Sequence, residues 1–277
     1  MDTVLVTGGT GHLGREVVEL LRPLHRVRVL SRSPVAEQAD RSADGPEGEP
    51  VEWARGDLAT GEGVAEAVDG VSAVVHAATF SPAARRGYLR PSDLRSSPPE
   101  VDVEGTRALL AACAGSGVDH FAYVSIVGVD RPRGPYLRLK AEAEGLVRDS
   151  GVPWSVLRAT QFHWLLDRML GRMTRLPVLP LPIRVPVQPA DAADFAEQVA
   201  RQVAAGPGGM CRDFGGPEVL PLGAIVDQWQ RVRGHRTRVL PLPTPSALAR
   251  VGHAMTCPDG RRGTTTWSRW LASNPPE

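Results

Sequence analysis

Val4-Leu5-Val6-Thr7-Gly8-Gly9-Thr10-Gly11-His12-Leu13-Gly14 decides how this chain is read. A β-branched apolar run passes into a glycine turn and then into an amphipathic stretch that continues through Leu21, which is the order strand, loop, helix. Glycine there lets backbone approach a pyrophosphate closely, and the helix behind it offers free N–H groups and the positive end of its dipole. Short glycine patterns arise by chance, but here a strand before, a helix after and a place at the start of a domain all agree. Two registers are readable, Gly9-x-Gly11-x-x-Gly14 and Gly8-x-x-Gly11-x-x-Gly14, and both put Gly14 on the helix face that packs on the sheet. Gly8, Thr10, Gly11, His12, Leu13 and Gly14 are therefore the expected first contacts of a bound dinucleotide.

Moving outward, Arg26-Val27-Arg28-Val29-Leu30 alternates charged and apolar residues and reads as a second strand ending at Ser31-Arg32. In a dinucleotide-binding sheet the end of this strand meets the adenosine ribose, where a carboxylate bonds the 2′-hydroxyl and an arginine accommodates a 2′-phosphate. No carboxylate is present, and the planar fork of Arg32 suits phosphate, so NADP(H) is the expected cofactor, with Ser31 and Arg32 at its 2′ end. Residues 33–50 read as a loose surface crossover with a short helix near Val35 to Asp40. Val51 to Ala54 is a third strand, followed by Gly56-Asp57-Leu58, where Asp57 and Leu58 either flank an adenine or form a turn before a helix capped at Thr60.

Ser72 to Ala77 is a buried fourth strand, and Ala77-Ala78-Thr79 supplies small residues where a cofactor passes close to backbone. His76 within it reads as a satisfied core histidine rather than a base. The stretch from Phe80 to Pro99 is too long for an ordinary connection and reads as a lid or an unstructured segment. Helical spacing follows over Val101 to Gly115, then a fifth strand from Phe121 to Ser125. This alternation predicts an α/β fold, a doubly wound parallel Rossmann sheet over residues 1–160, with residues 161–277 forming a smaller C-terminal substrate lobe whose segments return to the sheet.

Composition singles out one side chain. Of the 32 basic residues, Lys140 alone is lysine, in a chain that otherwise uses arginine for positive charge. It follows Tyr136 by four residues, so the two share a helix face. A phenol is a weak acid at neutral pH unless a nearby cation lowers its pKa, and a lysine ammonium can do so while its other protons bond a ribose hydroxyl. Ser125, ending the fifth strand, stands at the carboxyl edge where ligands sit in open α/β sheets.

These pieces resemble the short-chain dehydrogenase/reductases of the extended or atypical kind, near the NmrA-like branch. The resemblance is carried by the glycine stretch, Gly56-Asp57-Leu58, Val103-Glu104-Gly105-Thr106, Tyr123-Val124-Ser125, Tyr136-x-x-x-Lys140 and Gly151-Val152-Pro153-Trp154-Ser155-Val156-Leu157-Arg158, over residues 1 to about 160. It implies Tyr136 as acid/base, Lys140 on the nicotinamide ribose and Ser125 orienting a carbonyl oxygen. Two positions depart from the family pattern. Val127 stands where extended members carry the working Ser or Thr, and Asp102 stands where the family has a helix asparagine.

After a sixth strand, Trp154 to Arg158, Thr160 is expected to contact cofactor, and Gln161, Phe162, His163 and Trp164 to face substrate, with His163 a reserve proton donor. Phe162 and Trp164 read equally well as aromatics packed into the lobe. The proline-dense run Leu176 to Pro189 is expected to extend over the pocket. Further on, Ala190 to Ala205 reads as helix, Cys211 to Phe214 as an edge strand, Gly223 to Arg233 as helix, Arg238 to Leu240 as strand, and Trp267 to Leu271 as helical.

A formal net charge of +1 and the lack of basic runs argue against nucleic acid or an anionic membrane as partner. No stretch approaches the roughly 18 apolar residues that cross a bilayer. Three widely spaced cysteines suggest free thiols in a reducing compartment, so a cytoplasmic protein without a metal is expected. The leading expectation is an NADPH-dependent reductase of a bulky ketone, quinone or polyketide-like substrate. The alternatives are a non-catalytic NADP(H)-binding regulator, motivated by Val127 and Asp102, and an epimerase or dehydratase.

Overall fold

The computed structural model describes residues 2–32, 50–88, 90–131 and 134–275. The expected crossover of residues 33–50, with its short helix, lies outside them except for Pro50. Strand β1 (Thr3–Thr7) is apolar at every central position because it is covered on both faces, and Val4, Leu5 and Val6 are completely buried. It pairs in parallel with β2 (Arg26–Ser31) on one side and β4 (Ala73–His76) on the other. With β3 (Glu52–Arg55), β5 (His120–Ile126) and β6 (Trp154–Ala159) the order is β3-β2-β1-β4-β5-β6, and every pairing is parallel. The chain reverses direction of growth between β1 and β4, the switch point where ligands enter such sheets.

Residues beyond 160 return to this sheet. Phe214–Gly215 pairs with β6, Arg261–Arg262 pairs with Phe214–Gly215, and Gly209–Met210 also pairs with β6, making nine parallel strands among the described residues. The expected edge strand before Gly215 is thus an interior one, because a strand from near the end of the chain covers its outer side.

One face of the sheet carries the helices His12–Leu21 and Ala192–Ala205, which bury Val17, Val18, Leu21, Phe195, Ala196 and Val199. The opposite face carries Val64–Val68, Gly105–Ser116 and Pro135–Asp149 over Leu109, Cys113, Phe121, Tyr123, Ala143 and Val147. A third core joins Leu170, Leu179, Leu181, Ile225, Trp229, Trp267 and Leu271. There the proline-rich run forms two strand pairs, Val178–Leu181 with Arg238–Pro241 and Pro186–Val187 with Leu220–Pro221. The helices Leu222–Arg233 and Trp267–Ser273 complete this core.

Residues 80–99 are folded among those described, with a helix Pro82–Arg86 docked on the helix His163–Met173 through an Arg168 guanidinium that donates to the Arg85 carbonyl at 2.8 Å. The helix expected from Val101 begins instead as a π turn, Glu100–Glu104, in which the Glu104 N–H reaches back five residues to the Pro99 carbonyl at 3.1 Å. That wider turn rotates Asp102 inward until it is 1% exposed. Among the described residues no helix is long and apolar enough to cross a membrane.

Candidate functional site

The glycine loop is shaped by contacts that no side chain would allow. Gly8 has φ +75°, and a Cβ there would sit 2.7 Å from the Ala78 nitrogen and 2.8 Å from the Ala77 carbonyl carbon. A Cβ on Gly14 would fall 2.1 Å from the Gly8 carbonyl oxygen, so the first helical turn lies directly on the loop. The helix His12–Leu21 starts with no side-chain cap and no acidic residue in its first turn, which leaves its positive end to an external anion. Leu13 turns its side chain into the core, and Thr10 is exposed. The His12 ring stacks on Trp164, centroids 4.2 Å apart and planes 15° from parallel, joining the loop to the segment after β6.

At the end of β2, Ser31 is half-buried and its carbonyl accepts the Gly56 N–H at 3.0 Å, and Arg32 stands exposed just beyond it. Asp57 folds its carboxylate onto the Ala59 N–H at 2.9 Å, and Leu58 is buried in the core beside Gly105. Thr60 is not a helix cap, since the helix Val64–Val68 is preceded by Gly63 in the left-handed region at φ +71°.

Tyr136 and Lys140 project from one face of the helix Pro135–Asp149 into a polar cluster at the carboxyl ends of β4 and β5. The Tyr136 hydroxyl lies 2.9 Å from the Thr79 hydroxyl and bonds the Ser81 side chain. Thr79 donates to Asp102 Oδ1 at 2.5 Å, and the Phe80 N–H donates to Oδ2 at 2.9 Å. Lys140 is 3% exposed, donates to the Val124 carbonyl at 3.0 Å, stands 3.8 Å from Asp102 Oδ1 and lies 4.3 Å over the Tyr123 ring. The expected acidification of Tyr136 by Lys140 is not what this geometry produces. Burial of the phenol, and after it the Asp102 charge, push its pKa upward, against the hydrogen bonds with Thr79 and Ser81 that pull it down. Burial also lowers the pKa of Lys140, against the pull of Asp102 and Glu144.

His76 is enclosed in a buried chain of hydrogen bonds and is not a base of this site. Thr106 donates to the Asp102 carbonyl at 2.7 Å and so accepts from His76 Nε2 at 2.9 Å, and Thr7 donates to Nδ1 at 2.6 Å while accepting weakly from the Ala78 N–H. Burial pushes His76 down to about 3.

At the ends of β5 and β6 several buried polar atoms have no hydrogen-bond partner among the described residues: Ser125 Oγ, Thr160 Oγ1, Gln161 Oε1 and Trp164 Nε1. Such atoms carry an unmet cost unless something polar covers them. Together with the uncapped helix end and the glycine loop against Ala77 and Ala78, they fit a dinucleotide. Two expected substrate residues are elsewhere. His163 is wholly buried between Trp267 and Trp270, with ring centroids at 5.5 and 5.7 Å, and is pushed down to about 4 by burial, so it is packing and not a reserve acid. Phe162 packs on Phe195.

The helix that carries Tyr136 and Lys140 is fixed to β6 by charge. Arg158 Nε and a terminal nitrogen donate to the two Glu144 oxygens at 2.9 and 2.6 Å, and its other terminal nitrogen pairs with Asp130 at 2.5 Å. Asp102, Tyr123 and Ser81 are members of the cluster that sequence reasoning did not place in the site. Asp102 was visible as a departure from the family asparagine, but its burial depends on the π turn.

The chain matches over residues 8–200 the model of a family described as NAD(P)H-binding. It is 31% identical over 242 residues to a (4-alkanoyl-5-oxo-2,5-dihydrofuran-3-yl)methyl phosphate reductase of Streptomyces griseus, covering 85% of this chain and 75% of that one. It is 28% identical over 247 residues to the photosystem II assembly factor Ycf39 of Trieres chinensis, covering 87% and 72%. In three dimensions it is similar to an NADPH-dependent quinone oxidoreductase of Escherichia coli crystallised with NADPH, at a TM-score of 0.73 and 19% identity over 98% of this chain and 99% of that one. The glycine loop, the 3-2-1-4-5-6 sheet and this match over most of its length agree, and the chain belongs to the NAD(P)H-binding family.

Proposed function

We propose that this protein is an NADPH-dependent reductase of a bulky ketone, quinone or polyketide-like carbonyl. The observation that carries the reading is the pairing of Tyr136 and Lys140 on one helix face, beside Thr79 and within reach of the strand ends that hold the unpaired hydroxyls of Ser125 and Thr160. The names of two similar proteins, a reductase and a quinone oxidoreductase, point the same way. Bound NADPH supplies the hydride. Gly8, Gly11, Gly14 and the end of the first helix would hold its pyrophosphate, Arg32 its 2′-phosphate, and Lys140, which spends one hydrogen bond on Val124, its nicotinamide ribose. Tyr136 donates the proton to the substrate oxygen as charge develops there, and the small Ala77 and Ala78 leave the cofactor room against the backbone.

Following NADPH absorbance against ketones and quinones tests this. Tyr136→Phe is expected to lower turnover by about a hundredfold, the scale of a lost general acid, with NADPH affinity preserved. Unchanged turnover would refute the role of the tyrosine. A second reading, a cofactor-binding protein without catalysis, is favoured by one observation: Val127, at the place where the family pattern has a working Ser or Thr, is buried and offers no hydroxyl. The name of the assembly factor agrees with it. Quenched NADPH fluorescence without oxidation of any substrate is its signature.

A further inference from the structure

Charge in this chain is segregated. Residues 168–190 and 228–258 contain nine arginines and no aspartate or glutamate. The other 23 basic residues stand against all 31 carboxylates, so the net charge of +1 averages over one strongly basic region and an acidic remainder. Far apart in sequence, the two runs meet in space, where Val178–Leu181 pairs with Arg238–Pro241 and sets Val178 beside Arg238 and Pro180 beside Leu240. Arg233 bonds Asp167 at 2.9 Å, and the other eight arginines have no carboxylate partner among the described residues. The same runs are 54 of the 277 residues, yet they hold six of the eleven large apolar side chains exposed among the described residues: Leu176, Val178, Val232, Leu240, Leu242 and Leu248. On the paired strands Leu179, Leu181 and Val239 turn into the third core, which leaves Val178, Pro180, Arg238 and Leu240 together on the outer face. Leu176 is 55% exposed and Leu240 48%.

We propose that this face docks on an anionic lipid leaflet, with the guanidinium groups among the headgroup phosphates and Leu176, Val178, Leu240 and Leu242 at the acyl boundary. Its two properties answer the two parts of such a surface. Arginines without carboxylate partners are drawn to a negative leaflet, and exposed leucines set among them gain a cover that water does not give. Other occupants fit less well. A second copy of the chain would bring nine arginines against nine, which repel. A partner adding a strand would find few N–H donors, since Pro180 and Pro241 lie within the strands and Pro177, Pro182 and Pro243 beside them. Nucleic acid would answer the charge and leave the leucines uncovered. A leaflet demands no hydrogen-bond register, and its phosphates accept from several guanidinium groups at once. The docking is peripheral, and it does not depend on the reductase reading.

Co-sedimentation of the whole chain with vesicles tests this, using phosphatidylcholine alone and phosphatidylcholine with an equal part of phosphatidylglycerol. The protein is expected to sediment with the anionic vesicles and not with the neutral ones, and added salt should weaken that binding. Arg236→Gln with Arg238→Gln should weaken it about fivefold for each arginine, the worth of one basic residue near an anionic leaflet. Leu176→Ser with Leu240→Ser should weaken it about tenfold or more with the charge unchanged. Circular dichroism melts and NADPH fluorescence matching the wild type show that each double variant is folded. Sedimentation with neither vesicle, equal sedimentation with both, or wild-type binding by both double variants overturns the proposal. So does a dimer in sedimentation velocity that Leu176→Ser with Leu240→Ser dissolves, which would give the face to a second copy. Binding to polyglutamate or duplex DNA as tight as to the anionic vesicles, and indifferent to the two leucines, would make the face a general polyanion site and overturn it as well.

Discussion

Glu144→Gln tests whether the helix of Tyr136 and Lys140 is held in place by charge. Glu144 is 2% exposed and Arg158 12%, and the carboxylate meets the guanidinium with two short, parallel hydrogen bonds. Glutamine keeps the shape, removes the negative charge, and turns an amide N–H toward a guanidinium that can only donate. Breaking a buried pair by removing one partner costs about 3–5 kcal/mol because the other charge is left uncompensated. Asp130 still pairs with Arg158 but is 61% exposed, so its share of the charge is screened by water. The expected loss is therefore about 3 kcal/mol, which for a chain of this size lowers Tm by roughly 5–6 °C. Circular dichroism melts and urea titrations measure it, with m unchanged if the denatured state is unaffected. Glu144→Leu combined with Arg158→Met should recover most of the loss, since an apolar pair of similar volume needs no partner charge. A Glu144→Gln protein within about 0.5 kcal/mol of wild type, the range of an ordinary surface substitution, would refute the reasoning.

Gly14→Ala places a methyl group 2.1 Å from the Gly8 carbonyl, so NADPH binding measured by fluorescence should be abolished. Arg32→Ala should weaken NADPH by about tenfold or more, the worth of a charge-assisted contact, and leave NADH nearly unchanged; equal losses would remove Arg32 from the 2′-phosphate. His163 has a folded-state pKa near 4, below its ordinary 6.5, so the stability it contributes is present above pH 6.5 and is lost as pH falls toward 4. His163→Phe should make urea stability less sensitive to acid over that window, by up to about 2–3 kcal/mol, and an unchanged slope would show that the ring is not buried in its neutral form.

The fold was legible where a pattern is local. The apolar β1, the glycines that need contacts no Cβ permits, and the alternation of Arg26 and Arg28 with Val27 and Val29 each state their place in a few residues, and the parallel sheet follows from their order. Two-residue strands such as Phe214–Gly215 and Arg261–Arg262 have no period to read, and their places depend on partners far along the chain. The candidate site divides in the same way. Tyr136 and Lys140 are spaced by the helix itself, whereas His163 is claimed by Trp267 and Trp270, more than a hundred residues later, and Asp102 enters the cluster through a π turn that its sequence does not announce.

The carboxylate at position 102 bears on the direction of the chemistry. An asparagine there would leave the lysine charge free to draw the phenol pKa down, and a phenol that ionises readily can serve as a base for oxidising an alcohol as well as an acid for reducing a ketone. Asp102 neutralises that charge and sits on the far side of Thr79 from Tyr136, so both its field and the packing around the hydroxyl keep the proton on. A phenol held protonated is always loaded as a donor at neutral pH and almost never available as a base. It is also an intrinsically weak acid, so it acts late, when negative charge has already built on the accepting oxygen and hydride transfer is well advanced. On the proposed reductase reading, the cluster would favour acceptors whose reduced oxygen is stabilised, quinones before simple ketones, because Tyr136 is held protonated.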